Sequence, residues 1–237
     1  MKFEKYTIYI AVLILAACSP TYILQSHDNE VIGVQTNIDS TILDIINPYQ
    51  HGIEEQMSEV LCYTKDNLYK GRPQSTIGNF VTDLCLNYSN AHICIMNNGG
   101  LRTNISKGDI TRGKIYELMP FENELVVLEL NKNDYIGLLN YIANRGGEPF
   151  SGITITIDND GKIMNNSWPV NFDKGEKVKV LTSDYLANGG DAMSFFHGKN
   201  QQKVGIKLRD AIIDYCEKID TIDVKLDNRI RIIRNQP

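Results

Sequence analysis

Three short segments of this 237-residue chain gather side chains suited to holding a small polar molecule. They are Asn97-Asn98-Gly99-Gly100-Leu101-Arg102, then Gly108-Asp109-Ile110-Thr111 leading to Met119-Pro120-Phe121-Glu122-Asn123, and finally Asp184-Tyr185-Leu186-Ala187-Asn188-Gly189-Gly190-Asp191. Each lies at the end of an apolar run and carries glycine where a backbone turns with positive φ. An arginine fork grips anionic oxygens two at a time, which lysine does not do. A carboxylate presents two acceptor oxygens, and an aromatic ring a flat face. Taken singly, each segment reads equally well as a plain turn.

The other chemistry-bearing residue types are sparse. His27, His51, His92 and His197 are the four histidines, and none stands in a metal-ligating pattern. No Cys-x-x-Cys pair occurs, so a zinc site is not expected. A net charge of −5 argues against a nucleic-acid polymer as partner, because neutralising phosphates needs clustered Lys and Arg. A small anion needs only two or three well-placed arginines.

The amino terminus sets the compartment. Lys2 and Lys5 precede a short apolar run, Ile8 to Leu15, below the ~20 residues that span a bilayer but suited to a signal peptide. Leu15-Ala16-Ala17-Cys18 resembles a bacterial lipobox, which implies removal of residues 1–17 and acylation of Cys18. The expected locale is the periplasmic face of an outer membrane. Cys62, Cys85, Cys94 and Cys216 then remain. Four cysteines allow three pairings, and buried free thiols are an equal alternative.

Patterning gives the elements that must position the three segments. Residues 18–59 read as a tether, with one strand at most, and a helical preface. Asp39-Ser40-Thr41 caps a helix that Pro48 interrupts, and a second amphipathic stretch runs from Tyr49 to Val60. Residues 60–237 read as one domain. Helices are expected over Gly78–Tyr88, Asn133–Asn144 and Ile206–Ile219, from apolar residues at helical spacing. Strands are expected at His92–Met96, Glu124–Leu130, Ile153–Ile157, Lys177–Leu181 and Arg229–Ile233, with Asp158-Asn159-Asp160-Gly161 as a hairpin turn. The irregular alternation indicates an α+β (mixed α/β) fold, a mixed sheet with flanking helices.

In this order the three segments resemble the C-terminal, substrate-recognition domain of the 5'-nucleotidase family, which reads N-x-G-G-I-R, G-D-I-T, P-F-x-N and Y/F-L-A-N-G-G-D. The resemblance runs from about Val60 to Ile233 and implies a role for each matched residue. Phe121 and Tyr185 match the two rings that clamp a base, and Asp191 matches the acid that accepts from the ribose hydroxyls. Asn97 and Asn123 match positions that hold the nucleoside, and Arg102 matches a phosphate-binding arginine. Gly99 and Gly100 would let the backbone approach the ligand. Arg72, before Gly78-Asn79, is a second phosphate candidate whose offset departs from the family's, and Arg112 reads as a surface charge.

The resemblance also implies what this chain does not carry. Family nucleotidases cleave phosphate with two metal ions held by a separate N-terminal domain, in D-x-H, G-N-H-E/D and G-H-x-H-like motifs that this sequence lacks. No cofactor is expected in this chain, with divalent metals on a partner. Three readings follow: the recognition part of a split nucleotidase whose metallophosphoesterase is another chain; a stand-alone nucleotide- or nucleoside-binding lipoprotein; and a structural lipoprotein that binds nothing.

Overall fold

The computed structural model describes residues 40–233. The signal, lipobox and tether expectations fall outside them. Contacts divide the chain into two units, Met1–Asp44 and Ile45–Pro237; the core and the sheets belong to the second.

In chain order the elements are α1 (Ser40–Ser58), β1 (Val60–Thr64), α2 (Thr76–Leu86), β2 (Ile93–Ile95), β3 (Gly108–Thr111), α3 (Arg112–Leu118), β4 (Glu124–Leu130) and α4 (Lys132–Asn144). There follow β5 (Phe150–Ser151), β6 (Ile155–Asp158), β7 (Ile163–Asn166), β8 (Val178–Ser183), α5 (Asp184–Ala187), β9 (Gln202–Lys207), α6 (Leu208–Lys218), β10 (Thr221–Ile222) and β11 (Ile230–Ile233). The α+β class holds.

The central sheet runs β5-β2-β8-β4-β9, with β2 and β8 parallel and the other pairs antiparallel. Its strands alternate between two cores because successive strand side chains point to opposite faces. On β4, Leu125 and Val127 join one apolar cluster, with α2, α3 and α6. Val126, Leu128 and Leu130 join the other, with α4 and α5. The middle strands are buried on both faces and therefore read as unbroken apolar runs. Two three-stranded sheets, β10-β1-β3 and β11-β6-β7, complete the fold.

Local chemistry sets the element ends. The Ser75 side chain accepts from the Gly78 N–H and caps α2, and Asn131 accepts from Asp134 N–H to cap α4. The β6–β7 hairpin turns where expected: Asp158 Oδ1 accepts from the Asp160 and Lys162 amides, and Gly161 takes φ +76°.

The preface differs from expectation. Pro48 lies inside one continuous helix, α1, rather than between two. Proline removes only its own bond to the carbonyl four residues back, and none of α1 is buried, so water can satisfy the freed group. The helix also stops at Ser58, and Val60 opens β1 instead of closing the helical stretch.

Candidate functional site

The three segments converge because they follow neighbouring elements. The first leaves β2, the second precedes β4, and the third leaves β8, adjacent members of the central sheet. Together they line a cavity of about 320 Å³ bounded by Asn97, Gly99, Gly100, Arg102, Phe121, Asn123, Tyr185 and Asp191. Eight of the nine residues singled out in the sequence thus meet at one place.

Phe121 is 40% exposed and Tyr185 48%, so both rings border the cavity with uncovered surface. Asp191 joins the first and third segments: its Oδ2 accepts from Asn97 Nδ2 at 2.6 Å and its Oδ1 from the Tyr185 hydroxyl at 3.2 Å. Its backbone is left-handed, with φ +52°, and the Tyr141 hydroxyl donates to its carbonyl oxygen at 2.9 Å. A non-glycine residue in that region costs on the order of 1 kcal/mol, which its surroundings must offset. Arg102 donates to the Gly99 carbonyl at 3.1 Å, and its guanidinium carbon lies 5.9 Å from the Phe121 ring centroid.

Two glycines are set by close approach. A Cβ on Gly190 would meet Tyr185 Cε1 at 2.5 Å, so the tyrosine ring lies directly over that glycine. A Cβ on Gly100 would meet Asn97 Oδ1 at 2.6 Å, within the turn closed by Gly100 N–H donating to Asn97 O.

Arg72, the ninth residue singled out in the sequence, is not among those that line the cavity. Its Nη2 pairs with Glu148 Oε1 at 2.5 Å, and its Nε donates to Gly147 O. Arg145 Nε donates to the same Glu148 oxygen at 3.0 Å, while Glu148 Oε2 accepts from the Asn98 amide at 2.6 Å. The Glu148 side chain is fully buried, so both arginines serve to hold the carboxylate that anchors the first segment. Sequence reading did not single out Glu148; the only local signal is an acidic residue enclosed between Gly147 and Pro149.

The Phe121 segment is clamped by α6. Leu208 N–H donates to Asn123 O at 2.8 Å, and buried Arg209 and half-exposed Lys207 both pair with Glu122. Those two hydrogen bonds hold the Glu122 carboxyl down at about 2. Arg112 bridges Glu59 and Glu217, in keeping with a surface charge.

The described donors do not fit a two-metal centre. No group of three or more His, Cys, Asp or Glu among the described residues is arranged to hold a metal ion. His92 Nδ1 accepts from the Lys179 amide, and Asp191 is the one carboxylate that lines the cavity. Among the described residues, Cys62, Cys85, Cys94 and Cys216 are buried free thiols. No described helix is long and apolar enough to cross a membrane.

A family model described as "5'-nucleotidase, C-terminal domain" matches residues 60–198. The 5'-nucleotidase of Vibrio cholerae is 28% identical over 200 residues, which is 78% of this chain and 36% of that protein. A trifunctional nucleotide phosphoesterase of Bacillus subtilis is 27% identical over 216 residues, covering 78% of this chain and 15% of its own length. The crystal structure of a 5'-nucleotidase precursor from Thermus thermophilus superposes with a TM-score of 0.68 at 25% identity, over 84% of this chain and 44% of that one. The chain therefore spans less than half the length of each of these relatives.

Proposed function

The chain belongs to the 5'-nucleotidase C-terminal domain family, and from that premise we propose that it is the nucleotide-recognition component of a split nucleotidase, whose dimetal hydrolytic centre is carried by a separate metallophosphoesterase chain. The observation that carries this reading is the meeting of Phe121, Tyr185, Asp191 and Arg102 around one cavity.

Each part of a nucleotide has a counterpart of suitable chemistry there. The base enters between Phe121 and Tyr185, where stacking contributes roughly 1–3 kcal/mol per ring and tolerates any base. The ribose hydroxyls donate to Asp191, which stays acceptor-only while ionised. Asn97 and Asn123 supply amide groups to the nucleoside, and Arg102 supplies a fork for the phosphate. When bound on the partner, the metal ions supply a Lewis acid and an activated water. This chain's part is to hold the nucleoside so that its phosphate projects toward that partner.

The test uses AMP and divalent metal. Calorimetry should show that the chain alone binds AMP, and a phosphate assay should show release only when a metallophosphoesterase chain is added. Phosphate release by the chain alone contradicts the division of labour. Binding that no such partner converts to release favours the stand-alone binding lipoprotein, and no binding at all leaves the structural lipoprotein. The same reading assigns the membrane anchor to Cys18, and a fatty-acid label that persists in Cys18→Ser would remove it.

A further inference from the structure

The turn that carries Asp191 is held by a residue that is not among those lining the cavity. Asp191 and Ala192 are consecutive non-glycine residues with left-handed backbones, at φ +52° and +61°. Side chains disfavour that region, so neighbouring contacts must hold the turn. Within the segment, Met193 N–H donates to Gly190 O at 3.2 Å. From α4, the Tyr141 hydroxyl donates to the Asp191 carbonyl oxygen at 2.9 Å.

Tyr141 is itself fixed in place. Its ring meets Phe195 edge-on with centroids 5.7 Å apart, and the Arg145 guanidinium carbon lies 5.7 Å from its centroid. Burial pushes the hydroxyl above its ordinary range, so it remains a donor at neutral pH. Arg145 donates in turn to Glu148, which accepts from the Asn98 amide. The C-terminal end of α4 thus reaches both the third cavity segment and the first.

The carboxylate held this way matches a diol. An ionised carboxylate offers about four acceptor sites, two on each oxygen. Asn97 Nδ2 donates to Oδ2 and the Tyr185 hydroxyl to Oδ1. Among the described residues these two bonds fix the carboxylate from either side and leave acceptor capacity on both oxygens. The adjacent hydroxyls of a ribose supply two donors at that spacing.

We propose, on the nucleotide-recognition reading above, that Tyr141 is a positioning residue for the sugar: its hydroxyl holds the Asp191 backbone in the turn that lets both carboxylate oxygens meet the ribose diol. The substrate class is then nucleotides whose sugar keeps its 2'- and 3'-hydroxyls, bound in preference to 2',3'-dideoxynucleotides. That preference depends on Tyr141, which acts only through Asp191.

The deciding experiment is calorimetry of the wild-type chain and Tyr141→Phe with AMP and with 2',3'-dideoxy AMP. Phenylalanine keeps the ring beside Phe195 and Arg145 and removes only the donor. The wild-type chain should bind AMP more tightly than the dideoxy form by on the order of 10-fold, since two hydrogen bonds to a charged acceptor are at stake. Tyr141→Phe should weaken AMP roughly 3- to 10-fold, the worth of one hydrogen bond, and leave the dideoxy form unchanged. A merely structural hydroxyl would weaken both nucleotides alike, and that result overturns the proposal. Unchanged binding of both overturns it too, as does a wild-type chain that binds the two equally; in each case the nucleotide reading survives. A wild-type chain that binds neither nucleotide ends that reading, and the sugar assignment with it.

Discussion

Phe121 and Tyr185 come from segments more than sixty residues apart and both expose roughly half their surface at one cavity. On the proposed reading, these two uncovered ring faces are what a flat base would stack on. Phe121→Ala or Tyr185→Ala should each weaken AMP binding by about 1–3 kcal/mol, roughly 5- to 150-fold in Kd by calorimetry, with little change in Tm. Gly190→Ala should cost at least as much affinity as Tyr185→Ala, because the added methyl overlaps both the ring, at 2.5 Å, and the Tyr185 carbonyl oxygen, at 2.6 Å, and so displaces ring and turn together. Unchanged affinity in all three variants would remove the base clamp. The types and order of these side chains were legible in the sequence, since Gly-rich turns after apolar runs mark where strands release their loops. The role of Arg72 was not legible, because its partner Glu148 is 76 residues away along the chain.

At the scale of elements, buried Glu148 is the joint between α4 and the first cavity segment. It collects Arg72, Arg145 and the Asn98 amide on one carboxylate, at 2.5, 3.0 and 2.6 Å. Charged partners make such bonds stronger than neutral ones. Glu148→Ala should destabilise the fold by about 1–3 kcal/mol, read from denaturant unfolding, chiefly through the amide left unpaired. It should also loosen the Asn97–Arg102 segment and so lower AMP affinity. Glu148→Gln, which keeps an acceptor for the amide, should recover most of the stability. Full stability in Glu148→Ala would mean that the segment holds itself. Long elements such as Glu124–Leu130 were readable from their own residues. Short ones were not: β3, α3, β9 and the two-residue β10 carry too few apolar residues to show a period. β10 exists because it lies parallel to β1, far away in sequence.

Across the whole molecule, Arg229 ties the outer sheet containing β11 to α2 and the central sheet. It pairs with Asp83 and Asp227 and donates to the Phe150 carbonyl at 2.7 Å. The hydrogen bond from Arg229 is the main cause that holds the Asp227 carboxyl at about 2, below its ordinary 3.8. A depressed carboxyl stabilises the fold above its unfolded value and loses that contribution as pH falls through its folded one. Tm should therefore drop between about pH 4 and pH 2, and Asp227→Asn, less stable at neutral pH, should show a shallower drop. Parallel Tm curves would exclude Asp227 as a source of the acid sensitivity. By itself the sequence determined the α+β class, the long strands and helices, and eight residues that the fold brings to one cavity. Those follow from residue types and short spacings, which local sterics and solvation convert directly into structure. Only the tertiary structure decided that Pro48 stays within a helix and that Arg72 braces Glu148. Each of these depends on a partner or a solvent exposure that distant chain segments supply, and no local spacing encodes it.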